Sequence, residues 1–115
     1  SARGPLLRAA EGGLLMFWCP GCDEAHSIRH SPGAWSWNGD ENRPTFRPSI
    51  LVRGTKLRLD GDAIDKWLAE HPGERLPHDD VVCHLFVTDG KIQFLADCTH
   101  SMAGQTVDLP AEWWG

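Results

Sequence analysis

The feature that most constrains this chain is Cys19–Pro20–Gly21–Cys22. Two cysteines separated by Pro-Gly turn the backbone tightly enough to aim two thiolates at one side of a tetrahedral cation. Gly21 supplies the backbone freedom that the tip of such a knuckle needs. A pair alone does not close a site, so further ligands have to come from distant parts of the chain. Cys83 is the third candidate, and either His26, just after the knuckle, or Cys98 is the fourth. The competing readings are a disulfide and a redox pair. A thioredoxin-like pair would open a helix within a βαβ unit. Here the flanking residues Leu14–Trp18 and Ala25–Arg29 read as strands. A structural zinc ion is therefore the expected cofactor.

With 115 residues the chain has room for one ordinary domain. Such a domain buries only about two-thirds of its unfolded surface, so a metal staple is physically useful. The 12 glycines and 8 prolines favour many turns and short elements over long helices. The formal charge of −5, with Lys and Arg scattered, leaves no basic footprint for a phosphate backbone, and nucleic acid is excluded as a general partner. No apolar run approaches the roughly 18 residues that span a bilayer. No segment reads as a secretory signal, which favours a cytoplasmic protein.

Residues 1–13 read as a flexible leader ending at Gly12–Gly13, and 14–115 as a single zinc-stabilised, β-rich α+β domain with a small antiparallel sheet and one short helix. Trp35–Trp37 alternates as a strand. Pro44 and Pro48 demote the segment between them to an edge or loop, after which Ile50–Val52 is a strand. The helix begins near Asp62, expected to cap it, places Ile64, Trp67 and Leu68 on one face, and stops at Pro72–Gly73. Val81–Val87 and Ile92–Leu95 form a hairpin around Asp89–Gly90. Val107–Leu109 is a last short strand. Trp35, Trp37 and Trp67 are expected in the core.

Along an extended Val81–Val87, side chains alternate between faces. Val81, Cys83, Leu85 and Val87 point one way, and Val82, His84 and Phe86 the other. If Cys83 faces a metal, His84 faces something else. That residue is either a histidine satisfied by a carbonyl or part of a second site. Parts for a second site are present: Ser49 at the exit of a proline-constrained loop, and Asp97, His100 and Ser101 just after the hairpin. A serine becomes nucleophilic only beside a base, and the base needs an orienting partner. A different arrangement would make zinc catalytic, with His84 and His100 as ligands beside a cysteine.

Taken in order, Phe17–Cys22, Trp35–Gly39, Pro44–Ile50, Cys83–Val87 and Asp97–Thr106 resemble a family of small zinc-binding proteins carried by tailed phages, prophages and bacteria. More distantly, the knuckle, the Pro48–Ser49–Ile50 segment and the histidine before an aromatic strand resemble BubE-type peptidases of bacterial ubiquitin-like operons. The second resemblance implies a serine-peptidase-like hydrolase acting on a protein or ubiquitin-like substrate in a bacterial cytoplasm. Ser49 would be the nucleophile and His84 its base, with backbone N–H groups holding the oxyanion. His100 and Asp97 belong to the phage-like closing motif. The first resemblance implies instead a non-catalytic accessory protein that binds a host protein through a zinc-held surface.

Overall fold

In the computed structural model, which describes residues 1–114, the chain forms two antiparallel sheets and one α-helix. The first sheet runs β1 (Ala2–Arg3), β2 (Leu7–Ala10), β3 (Leu14–Cys19), β4 (Glu24–Arg29), each strand beside the next. The second runs β5 (Ser36–Trp37), β6 (Phe46–Leu57), β7 (His78–Thr88), β8 (Lys91–Phe94), β9 (Thr106–Asp108), again in chain order. Neighbouring strands joined by turns explain this order.

Strict alternation builds the core. In β3, Leu15, Phe17 and Cys19 are buried while their neighbours are not, and β4 buries His26 and Ile28 in the same way. In β7, Cys83, Leu85 and Val87 are buried and His84 and Phe86 lie half-exposed on the other face. The inner faces of the two sheets meet in one apolar cluster, with Phe17 and Phe46 6.1 Å apart between ring centroids. The β7–β8 turn has Asp89 and Gly90 both at positive φ, 50° and 76°, as a two-residue hairpin turn requires.

Several expectations are corrected. Residues 1–13 are not a leader: β1 and β2 extend the first sheet, and Leu7 is 0% exposed in the core. The segment between Pro44 and Pro48 is not all edge or loop, since β6 starts at Phe46, runs to Leu57 and carries Pro48. The pairing slips there, taking four steps along β6 from Phe46 to Ile50 against two along β7 from Val87 to Leu85, a bulge that accommodates the proline. Helix α1 (Asp62–Glu70) is N-capped by Gly61 with no side-chain cap, so Asp62 is its first residue and not its cap. None of its residues is buried, and Trp67 stacks on His71, not in the core.

The distal half of the β6–β7 hairpin, Arg53–Leu57 with His78–Val81, projects from the core. Its β6 residues are all exposed. This arm makes the molecule 53 × 30 × 30 Å, with a radius of gyration of 17.1 Å. A compact chain of this length would have about 13 Å. Among the described residues, no helix is long and apolar enough to cross a membrane.

Candidate active site and metal centre

Two groups of chemistry-bearing side chains lie back to back on β7. The inward face carries Cys83. From the first sheet, β3 contributes Cys19, the following turn Cys22, and β4 His26; the ligand atoms of all four lie within 4.8 Å of one another. Cys19 Sγ and Cys83 Sγ are 3.8 Å apart, and all four cysteines are free. A disulfide would need about 2.05 Å. His26 is 5% exposed, and its Nε2 is buried with no hydrogen-bond partner. A buried, orphaned imidazole nitrogen beside three sulfurs is costly unless it has something to bind. This group fits a metal ion. The expected set of Cys19, Cys22, His26 and Cys83 is thus brought together, with His26 in the place that Cys98 contested.

Electrostatics in this cluster follow from its hydrogen bonds. The Cys83 thiol beside Cys19 pulls the Cys19 pKa down to about 4, against the effect of burial. Burial, helped by the charge on Cys19, pushes Cys22 up to about 11. Cys83 is pushed up as well, first by its hydrogen bond to Cys19 and then by burial. These hydrogen bonds and burial favour the charged form at Cys19 over Cys22 and Cys83.

His100, expected among catalytic residues, belongs to this face. Its Nε2 lies 3.3 Å from Cys83 Sγ, and its Nδ1 accepts the Met102 N–H at 3.2 Å. A neutral ring that accepts at Nδ1 carries its proton on Nε2, so His100 donates to the Cys83 sulfur. Cys83, Cys98 and His100 form a second close group, but Cys98 Sγ is engaged elsewhere. A catalytic zinc held by His84 and His100 is ruled out by the strand itself, because the two rings lie on opposite faces.

The outward face carries the second group. His84 Nε2 is 3.1 Å from Ser49 Oγ, and His84 Nδ1 is 3.0 Å from Asp97 Oδ2. Register brings them together: Leu51 of β6 pairs with His84, and the bulge before Ile50 delivers Ser49 beside the same ring. Asp97 reaches Nδ1 because the loop after β8 is laced to β7, with Leu95 N–H donating to His84 O and Thr99 N–H to Val82 O. The aspartate partners His84, not the nearer-in-sequence His100. Ser101 joins neither group in a side-chain hydrogen bond.

Two supports were not legible in the residues. The Cys98 thiol bonds the main chain of His84, accepting its N–H and donating to its carbonyl, each at 3.2 Å. The Trp35 indole N–H donates to the Ser49 carbonyl at 3.4 Å. Neither carries a local signal, since both join residues far apart in sequence. A cleft of about 710 Å³ lies along the arm and reaches Gly21, Cys83 and His100, yet Ser49 and His84 do not line it.

A hydroxyl, an imidazole and a carboxylate in hydrogen-bonded series are the parts by which serine hydrolases are recognised, whatever their fold. Here they stand on a small β protein whose opposite face carries a thiol-rich centre. Residues 3–95 match the family described as bacterial ubiquitination-like system serine protease (BubE), and the chain belongs to that family. No curated protein and no solved structure matches the chain.

Proposed function

We propose that the chain is a zinc-stabilised serine peptidase that cleaves a protein substrate of the ubiquitin-like kind. The observation that carries this reading is the Ser49 Oγ–His84 Nε2 distance of 3.1 Å with Asp97 on the other ring nitrogen. In the reaction, Ser49 Oγ attacks the scissile carbonyl carbon while its proton passes to His84 Nε2. Asp97, accepting from Nδ1–H, holds the tautomer that leaves Nε2 free to take that proton and stabilises the imidazolium. The C–N bond then breaks, and Nε2 returns the proton to the leaving amine. Water, deprotonated by the same nitrogen, releases the acyl group and regenerates the serine. Asp97 has a side chain 56% exposed, so solvent screens its charge and its contribution is smaller than that of a buried aspartate.

The substrate class follows what the family is known as, a bacterial ubiquitination-like system serine protease, and zinc follows the donors. Thiolates around a tetrahedral zinc at about 2.3 Å stand about 3.8 Å apart, the separation of Cys19 and Cys83 Sγ. Three cysteines and a histidine close the coordination sphere, so the ion's role is structural. A fluorophosphonate probe tests the enzyme reading directly. Ser49 is expected to become the labelled residue, identified by peptide mass. Ser49→Ala and His84→Ala should each lower kcat/KM by about 10³-fold or more, and Asp97→Asn by about 10- to 100-fold. A protein that folds, binds its partner and never labels would instead be the non-catalytic accessory protein.

A further inference from the structure

The main-chain groups of β6 beyond Ser49 form an open strand edge, and its orientation can be read from β7. Val82 and His84 turn both N–H and C=O away from β6: their carbonyls accept from Thr99 and Leu95, and their N–H groups go to Thr99 Oγ1 and Cys98 Sγ. In an antiparallel pair, residues opposite such positions also turn their main chain outward. Those opposite are Arg53 and Leu51, and by alternation Thr55 opposite Asp80. The Ser49 carbonyl points to the same side, where the Trp35 indole meets it. β5 covers this edge only at Phe46 and Arg47. Among the described residues, nothing pairs with the outward groups of Leu51, Arg53 and Thr55, and all three residues are exposed, Leu51 at 46%.

We infer that this edge is the substrate-binding strand: an extended segment of the protein substrate adds to β6 and runs its scissile carbonyl onto Ser49. The inference rests on the hydrolase reading above. Continuity decides the occupant, because the open main-chain ladder begins at the nucleophile itself. An antiparallel strand starting opposite Thr55 passes Arg53 and Leu51 before it reaches Ser49. The residues on the edge are then those N-terminal to the cleaved bond, which form the acyl-enzyme, and the leaving amine departs towards β5. Main-chain pairing supplies affinity and alternate side chains supply selectivity. Leu51 lies on the face of Ser49 and His84, as does Arg53. The segment therefore presents an apolar side chain beside Leu51 and an acidic one two residues earlier, beside Arg53.

The edge has a signature of period two that a side-chain pocket would not give. The probe is a synthetic decapeptide with an acidic and an apolar residue in that spacing, upstream of the bond to be cut. In the Ser49→Ala protein, adding it should slow hydrogen exchange at the amides of Leu51, Arg53 and Thr55 by about tenfold or more, with Val52 and Gly54 unchanged. With the native protein, N-methylating a decapeptide amide that pairs with the edge should cut kcat/KM by about tenfold or more, and methylating the amides between should not. Protection without alternation, or equal sensitivity to every N-methyl group, overturns the edge. So does a concentration-dependent dimer that protects the same amides with no peptide present, since a second copy would then be the occupant. Fluorophosphonate labelling separates the two failures. A protein that labels at Ser49 yet ignores N-methylation loses only the edge, whereas one that never labels loses the hydrolase reading and the edge with it.

Discussion

Gly21 illustrates how a single residue couples the knuckle to the rest of the site. Its backbone is not in the left-handed region; what demands glycine is the His100 ring, whose Cε1, Nε2 and Nδ1 a Cβ would meet far inside van der Waals contact. That ring is also wedged edge-on against Phe94, 4.6 Å between centroids, while it donates to Cys83. Gly21→Ala must push the ring away from the sulfur. It should destabilise the protein by about 1–3 kcal/mol, read as a lower melting temperature. His100→Ala removes the obstacle, so the double variant should lose less than the sum of the two single changes. The glycine itself was visible in the knuckle, but its reason was not. A turn motif announces backbone freedom, whereas close approach of a ring from a loop far along the chain announces nothing.

At the level of elements, legibility follows the range of the interaction that makes each one. The Asp89–Gly90 hairpin and the alternation of β7 are written in short windows, and both appear as read. β1 and β2 are not, because Leu7–Ala10 is too short to show a period and becomes a strand only by pairing with β3. A test is Leu7→Ala, which empties a fully buried site and should cost about 2–5 kcal/mol by denaturant unfolding. A true leader would tolerate the change without effect. Helix α1 was legible from its periodicity and its Pro72–Gly73 stop, but its apolar face promised a burial that the projecting arm does not provide.

For the whole molecule, the candidate metal centre joins one sheet to the other: Cys19, Cys22 and His26 come from the first, and Cys83 from the second. Stripping the ion with a strong chelator should lower the melting temperature by roughly ten degrees or more, with zinc restoring it. Labelling at Ser49 should fall in parallel, because His84 follows Cys83 on the same strand. Uptake of the ion should also release protons. Near neutral pH Cys19, held at about 4, is already a thiolate, whereas Cys22, at about 11, and Cys83, higher still, keep their protons until the ion displaces them. About two protons should therefore leave per ion, and affinity should fall as pH falls, measured by calorimetry in buffers of differing ionisation enthalpy. The amino-acid order alone determined the knuckle, the hairpin turn and the separation of Cys83 from His84 on opposite faces, since each depends on residues a few positions apart. The placing of His26, and not Cys98, beside Cys19 and Cys22 and the meeting of Ser49 with His84, 35 residues on, were decided by sheet packing and by the register of β6 on β7. A slip of one residue in that register would turn Ser49 or His84 away, and no local pattern states where the slip is prevented.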